Sequence, residues 1–383
     1  MPWSALQDIL RRISTPIRYL SALYALLLAL FTLFRLLRVT DAPLIDLANA
    51  FAPYLYMPLV LSFPLSIIVT RQNSSGVESA RKRLSTRRKP REDGPRAKRP
   101  WSVLLQICLI AIGLYWFAAP AMYRPVEPPS GDSFKVVSFN VQGSNAELKR
   151  ATDWLLEAAP DLIVLQETAE GYDERLTPLY EVYAHEDHIE GSVRVFSRFP
   201  ILAREVLVIE EGPGRAALRL LLNADGRQLA IYAVHFSLPL RPREGETHIG
   251  PSDLLRYDES RRNAQIHTLL ELIDDEASAY IVAGDFNMSD ASLIYDAIAA
   301  RMRDAWRSAG NGAGRTWPVA EAIHLPRVIH PLLRIDYVWH SAGLRATAAA
   351  VGKPIGSDHL PITAELEWLD GHTASGTVES IFF

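Results

Sequence analysis

Three long uncharged stretches in the N-terminal third of this 383-residue chain constrain its fold more than any other feature. They are YLSALYALLLALFTLF (19–34), LANAFAPYLYMPLVLSFPLSIIVT (47–70) and WSVLLQICLIAIGLYWFAAPAM (101–122). A helix of about 20 apolar residues crosses the hydrocarbon core of a bilayer. With their flanks, the stretches predict three transmembrane helices, at about 17–37, 47–70 and 101–122. The alternative is a cleaved signal peptide followed by buried core helices, but the first stretch lacks a tidy small-residue cleavage site.

The distribution of charge predicts how these helices are oriented. Residues 1–123 carry 16 Lys and Arg against 6 Asp and Glu, whereas residues 124–383 carry 24 against 38. Most of the N-terminal basic residues fall in the polar loop 71–100, for which we expect disorder. Because basic loops stay in the cytoplasm, we expect a multi-pass protein of the inner (plasma) membrane with an extracytoplasmic C-terminal domain. A nucleic-acid-binding arm is the alternative interpretation of this loop.

The pattern of apolar and polar residues changes beyond the membrane region 1–123. Residues 124–133 form a Pro-rich tether, 134–369 a soluble domain and 370–383 a flexible tail. In the soluble domain, short apolar runs alternate with turn signals, and amphipathic helices are predicted at 146–158 and 254–273. Many strands with few helices predict sheets packed face to face with helices outside.

Polar side chains follow several of the predicted strands. They are Asn140, Glu167, His235, Asp285 and Asn287, while Asp358 and His359 open the last strand. If these strand ends converge, uncompensated carboxylates would repel one another and protonate. A divalent cation removes that conflict. The single cysteine, Cys108, lies in an apolar stretch and excludes a Cys-based site, so oxygen ligands that suit Mg²⁺, Mn²⁺ or Ca²⁺ are expected.

In their order along the chain, these motifs resemble those of the endonuclease/exonuclease/phosphatase superfamily. That superfamily includes deoxyribonuclease I-like nucleases, inositol polyphosphate phosphatases and neutral sphingomyelinases. The motifs are SFNVQ, LQE, FSRFP, VHF, GDFN, RIDYV and SDHLP, within residues 134–368. The apolar stretches and TWP (316–318) look like a bacterial membrane-anchored branch. The resemblance implies an α/β (α+β) fold, a four-layer sandwich of two packed mixed β-sheets with helices outside, preceded by the three transmembrane helices.

The resemblance also implies a role for each motif residue. Glu167 would be the principal ligand of Mg²⁺ (or Mn²⁺), with Asn140 and Asp358 as further ligands. Asp285 would position or deprotonate the attacking water. His359, oriented by Asp336, would act as base or contact the phosphate. The substrate phosphate would also meet Asn140, Asn287 and His235, and His235 could protonate the leaving oxygen. Arg198 is interpreted as a structural brace.

These roles imply a membrane-anchored phosphoesterase that hydrolyses a phosphodiester by metal-activated water attack. The alternative is a non-catalytic membrane receptor or scaffold that retains the fold. The substrate could be a nucleic acid, a lipid headgroup or a small phosphate ester, and the lipid bilayer is the other expected partner; no protein partner is implied. Since nucleic-acid binders usually present a basic face, the acidic C-terminal region favours the lipid or small ester. A local patch of Arg261, Arg262, Arg301, Arg303 and Arg307 would favour nucleic acid, and the segment 237–253 could be a substrate gate.

Overall fold

The computed structural model describes residues 3–40, 42–64, 101–122, 126–169, 171–210, 216–240, 251–320 and 331–369. The chain divides into two compact units, Met1–Thr40 with Phe51–Pro120, and Asp41–Ala50 with Ala121–Phe383. The basic loop 71–100, most of the segment 237–253 and the tail 370–383 lie outside the described residues. The second unit therefore includes residues 41–50, which the sequence pattern assigns to the membrane region.

Helices make up the described part of the N-terminal region: α1 (Trp3–Leu36), α2 (Pro43–Ala50), α3 (Ala52–Pro64) and α4 (Trp101–Gly113), which short π and 3-10 turns extend to Ala121. Among the described residues, two helical windows, Tyr19–Leu36 and Trp101–Ala121, are long and apolar enough to cross a membrane. The third predicted span differs from a straight helix, because α2 and α3 meet the criterion only as a pair bent by 70°. Pro53 explains the break: it has no N–H to donate, and its ring would clash with the carbonyl of Asn49 in a continuous helix.

The described residues of the second unit form two six-stranded sheets. The strands are β1 (Ser133–Asn140), β2 (Leu162–Gln166), β3 (His185–Ile189), β4 (Val193–Ser197), β5 (Ile201–Val208), β6 (Ala216–Ala224), β7 (Arg227–His235), β8 (Ala279–Asp285), β9 (Arg303–Asp304), β10 (Asp336–His340), β11 (Leu344–Val351) and β12 (Ile362–Trp368). Sheet A has the order β11-β12-β1-β2-β4-β3, and sheet B the order β5-β6-β7-β8-β10-β9. Only β1/β2 and β7/β8 are parallel pairs among these, so both sheets are mixed, as predicted.

The core lies between the sheets, and helices cover their outer faces. Inward-facing residues of both sheets, such as Val136, Val164, Leu220, Ile231 and Val338, form one buried cluster. Two further clusters join the outer face of each sheet to helices. The helices are α5 (Leu148–Ala158) and α6 (Asp173–Tyr180) on sheet A, and α7 (Ser260–Asp274) and α8 (Tyr295–Ala299) on sheet B, while α9 (Ala305–Ala309) joins the central cluster. This arrangement agrees with the predicted layered α/β fold.

The helix predicted at 254–273 is in fact two elements, a 3-10 helix (Pro251–Arg256) and α7. The chain turns between them because the N–H of Asp258 donates to the carbonyl of Pro239 over 3.0 Å. The Asp258 carboxylate then accepts the N–H of Ser260 at 2.9 Å. A side-chain acceptor at this position satisfies one of the unpaired donors at a helix N-terminus. This local capping outweighs the continuous apolar periodicity of the sequence.

Candidate functional site

The two parallel strand pairs, β1/β2 and β7/β8, end in polar residues that lie close together. Asn140 pairs with Gln166 across β1 and β2, and His235 pairs with Asp285 across β7 and β8. The side-chain amide of Asn140 donates to Glu167 Oε1 and to Asp285 Oδ2, both at 3.0 Å. One buried amide therefore links a carboxylate of sheet A to a carboxylate of sheet B.

Glu167 is the most accessible acid of this cluster, with a side chain 37% exposed. It adopts a left-handed backbone conformation (φ 57°) immediately after β2, an unfavourable state for a residue with a Cβ. Its Oε2 accepts the N–H of Gly143 at 3.1 Å. Burial tends to raise the pKa of Glu167, but His235 and the hydrogen bonds from Asn140 and Gly143 outweigh burial, so the pKa is lowered. The carboxylate is consequently held in its charged form, facing the solvent side of the cluster.

Asp285 lies at the centre of the cluster and is almost completely buried. Its Oδ2 is 3.7 Å from His359 Nε2 and 3.8 Å from His235 Nε2. Burial raises the pKa of Asp285 to about 7, in spite of the opposing effect of His359. A carboxyl group poised near neutral pH between two imidazoles is suited to accept and return a proton.

His359 and Asp336 form a buried hydrogen-bonded pair. His359 Nδ1 is 2.9 Å from Asp336 Oδ2, which leaves Nε2 directed toward Asp285. Burial alone would lower the pKa of His359, but the carboxylates of Asp336 and Asp285 raise it to about 10. The pair thus fixes the orientation of the ring and favours its protonated form.

Asn287 uses its polar groups to fix the strand ends. It has a positive φ of 47°, its N–H donates to Asp285 Oδ1 at 2.8 Å, and its side-chain amide donates to the carbonyl of Phe236 at 3.0 Å. The guanidinium of Arg262 donates to the Asn287 carbonyl at 2.7 Å and pairs with Glu259 at 2.8 Å. Sequence reasoning placed Arg262 in a surface patch and missed this buried position, which only the packing of α7 against the strand ends reveals.

Asp358 and Asn140, two of the predicted metal ligands, have other partners in this structure. Asp358 Oδ2 accepts the indole N–H of Trp317 at 3.2 Å. Asn140 turns its NH₂ group toward the two carboxylates, while its oxygen accepts the N–H of Gln142 at 3.0 Å. Trp317 belongs to the TWP motif, so the sequence contained a signal for this residue without indicating its contact.

The cluster has the chemistry of a divalent-metal site. The ligand atoms of Asp285, Asp336 and His359 all lie within 4.8 Å of one another. Carboxylate oxygens are the ligands that suit Mg²⁺ and Mn²⁺, whereas imidazole nitrogens suit softer ions. Because Asp336 and His359 are already hydrogen-bonded to each other, the partly exposed and charged Glu167 is the better entry point for an ion. The donor set fits such an ion.

A sequence model of the Endonuclease/Exonuclease/phosphatase family matches residues 137–359, more than half of the chain. The chain belongs to this family. Members of the endonuclease/exonuclease/phosphatase family are generally hydrolases that act on phosphoester bonds, and they are typically dependent on divalent metal ions. The resemblance seen in the motifs is therefore confirmed. No curated protein matches the sequence.

Several solved structures are similar to this chain. A family protein from Bacteroides vulgatus is 18% identical, with a TM-score of 0.50, and the match covers 62% of this chain and 100% of that one. A family protein from Beutenbergia cavernae is 22% identical, with a TM-score of 0.49, and the match covers 62% of this chain and 72% of that one. A truncated TDP2 from Caenorhabditis elegans is 18% identical, with a TM-score of 0.48, and the match covers 61% of this chain and 97% of that one.

Arginines elsewhere on the unit are engaged with carboxylates. Four of the five arginines of the predicted basic patch pair with carboxylates: Arg261 with Glu210, Arg262 with Glu259, Arg301 with Asp274 and Arg307 with Asp290. The fifth, Arg303, is exposed on β9. Arg198 pairs with Asp161 at 3.4 Å and stacks 5.8 Å from the ring centre of Tyr183, which agrees with a structural brace. Paired arginines offer little net charge to a phosphate backbone.

Proposed function

We propose that this family member is a membrane-anchored, divalent-metal-dependent phosphoesterase that hydrolyses a phosphodiester. The observation that carries the proposal is the row Asp336–His359–Asp285, in which an oriented imidazole faces a buried carboxyl group whose pKa is raised. Such a row holds and moves a proton at defined atoms, and a purely binding protein has no use for it.

The chain's own residues divide the chemistry. Asp285 Oδ2 takes the proton of the attacking water. The protonated His359, oriented by Asp336, directs its Nε2–H at Asp285 and favours the charged carboxylate that accepts this proton. His235 Nε2, 3.8 Å from both Glu167 and Asp285, is placed to contact the phosphate or to protonate the leaving oxygen. Asn287 and Asn140 fix the strand ends that carry these groups and offer amides to the phosphate.

The metal would be Mg²⁺ (or Mn²⁺), held principally by Glu167. Asn140 and Asp358 complete the proposed set after each turns away from its present partner, Gln142 or Trp317. When bound, the ion supplies positive charge that stabilises the charge developing on the phosphate.

The anchor is proposed to cross the membrane three times, with the catalytic domain 134–369 outside the cytoplasm after the tether 124–133. In support, α2 packs against the 3-10 helix of the globular unit, so the two lie on the same side of the bilayer. If the Trp101–Ala121 helix crosses, the chain between Ala50 and Trp101 has to cross as well, because no packing contact reaches through about 30 Å of hydrocarbon. The basic loop 71–100 then lies in the cytoplasm, as its charge predicts.

Hydrolysis of bis-p-nitrophenyl phosphate by the purified full chain tests the function. We expect activity with Mg²⁺ or Mn²⁺ that EDTA abolishes, and a loss of at least about 100-fold in His359→Ala, because acid–base groups contribute at least that much. His267→Ala, at an exposed position on α7, is the matched control and should keep full activity. Absence of hydrolysis would favour the non-catalytic receptor or scaffold, and hydrolysis that persists in EDTA would overturn the proposed metal dependence.

A further inference from the structure

Two short segments of the globular unit bury acids and expose leucines. In α2, Asp46 is 6% exposed, whereas Leu44 is 62% exposed. In the 3-10 helix, Asp253 is 1% exposed, whereas Leu255 is 65% exposed. A helix on a water-covered surface shows the opposite arrangement. The inverted pattern indicates that the outer side of these segments faces an apolar medium.

The exposed leucines belong to neighbouring segments. The 3-10 helix packs against α2 and also exposes Leu254, at 40%. Its C-terminal neighbour Asp258 bonds to the carbonyl of Pro239, next to Leu238, which is 41% exposed. We call Leu44, Leu238, Leu254 and Leu255 the leucine rim. A single exposed leucine needs no explanation, whereas a group of them marks an interaction surface.

Chain connectivity relates the leucine rim to the bilayer. The candidate span of α1 ends at Leu36, and α2 begins at Pro43. The intervening residues 37–42 can extend over no more than roughly 25 Å. α2 and the leucine rim are therefore tied close to the membrane surface at the outer end of the span, and lipid is the apolar medium available there.

The leucine rim also adjoins the proposed site. Leu238 follows His235 by three residues, a distance of at most about 11 Å along the chain. Between them, the carbonyl of Phe236 accepts the side-chain amide of Asn287 at 3.0 Å. From the other direction, Tyr257 donates to Glu259 at 2.8 Å, and Glu259 pairs with the Arg262 that holds Asn287. The strand end that carries His235 thus leads directly into the rim.

We propose that the leucine rim lies in the bilayer interface and presents the active site to the phosphate ester of a membrane lipid headgroup. The substrate assignment rests on the phosphoesterase function proposed above, whereas the bilayer contact does not. A site whose rim is embedded among headgroups meets lipid phosphates without having to attract a polyanion, which agrees with the pairing of the arginines on this unit.

Spin labels test the bilayer contact without reference to activity. In the full chain with Cys108→Ser, reconstituted into lipid nanodiscs, labels are placed at Leu255→Cys and at Leu272→Cys, a control on α7 that is 40% exposed. We expect the first label to be more accessible to oxygen than to a nickel chelate, and the second label to show the reverse. Equal behaviour of the two labels, or shielding of the first from both reagents by a protein partner, would overturn the proposal.

The substrate class is tested by comparing the double variant Leu254→Ser/Leu255→Ser with the control variant Leu272→Ser and with the wild-type chain. Each protein is reconstituted into phosphatidylcholine vesicles that contain phosphatidylethanolamine, phosphatidylglycerol or sphingomyelin. We expect the wild-type chain to release a headgroup from at least one of these lipids. The ratio of lipid hydrolysis to bis-p-nitrophenyl phosphate hydrolysis should fall at least tenfold in the double variant and stay constant in the control. A constant ratio in both, or cleavage of duplex DNA with no lipid cleaved, overturns the lipid assignment. A wild-type chain inactive on bis-p-nitrophenyl phosphate instead overturns the phosphoesterase function, and the spin labels still decide the bilayer contact.

Discussion

Sheets A and B have the same plan but contribute different chemistry to the candidate site. Each has a parallel pair in the third and fourth positions of a six-stranded order, β1/β2 in one and β7/β8 in the other. Sheet A ends this pair in Asn140 and the partly exposed Glu167, whereas sheet B ends it in His235 and the buried Asp285. Sheet A thus supplies a partly exposed, charged carboxylate, and sheet B supplies a buried acid–base group.

The difference follows from where each acid lies relative to the end of its strand: Asp285 is the last residue of β8, whereas Glu167 follows the last residue of β2. In sheet A, Phe139 lies opposite Leu165, and both keep full side chains. In sheet B, Val234 lies opposite Gly284, where a Cβ would be 1.9 Å from the Val234 carbonyl oxygen. Asp285 follows this glycine within the strand and is buried, and burial is the main cause of its raised pKa. The comparison teaches that the same topology presents a partly exposed charge or a buried acid according to whether the acid lies within its strand or just beyond it.

The largest effect is expected from removing the buried acid–base residues of the site. Asp285→Ala and His359→Ala should each lower kcat on bis-p-nitrophenyl phosphate by about 10³-fold, since both serve the same proton transfer. For the same reason, the double variant should be no slower than the slower single variant by more than a few-fold. Steady-state rates at saturating Mn²⁺ provide the measurement. Multiplicative losses would show that the two groups act independently.

The close approach within sheet B can be tested by stability. Gly284→Ala should lower the free energy of unfolding by roughly 3 kcal/mol, because the added methyl group overlaps the Val234 carbonyl. Gly226→Ala is the matched control, with φ of 89° and no heavy atom within 4 Å of the new Cβ. It should cost only about 1 kcal/mol of backbone strain. Denaturant unfolding of the detergent-solubilised chain measures both, and equal losses would contradict the packing explanation.

Replacing Glu167, the partly exposed acid that follows β2 of sheet A, should instead change how the rate depends on metal concentration. Glu167→Gln should raise the half-saturating Mg²⁺ concentration by about 10–100-fold, with kcat recovering at excess metal because the acid–base groups remain. Glu365→Gln, a comparably exposed position on β12, should behave as wild type. Metal titrations of the rate provide the test. If excess Mg²⁺ fails to restore Glu167→Gln, the residue is not primarily a ligand.

The smallest effect concerns the far end of β10. Burial lowers the pKa of His340 to about 4 in the folded chain, against an ordinary value of about 6.5. The unfolded chain therefore binds a proton that the folded chain does not between these values. The free energy of unfolding therefore decreases as the pH falls below 6.5, by up to about 1.4 kcal/mol per pH unit. His340→Asn, which keeps a donor for the Ser341 carbonyl, should show a smaller decrease in melting temperature between pH 7 and pH 5. An unchanged pH dependence would contradict this role.

The family and the layered architecture could be read from the sequence because their signals are local. Alternating apolar runs specify strands, and motifs such as GDFN and SDHLP keep their residue spacing at the strand ends. The break between the 3-10 helix and α7 could not be read in this way, because it depends on a bond from Asp258 to the distant Pro239. The bend between α2 and α3 had a local signal, Pro53, which lies inside the transmembrane helix predicted at 47–70.

The sequence by itself determined the apolar spans, the alternation of strands and helices, and the identity of the polar residues at the strand ends, since each depends on neighbours within a few positions. Tertiary structure alone decided that Asn140 bridges Glu167 and Asp285, that His359 is oriented by Asp336, and that α2 lies against the globular unit. These contacts join residues separated by 20 to more than 200 positions. Their burial, which sets the pKa values of the site, exists only once both sheets have packed.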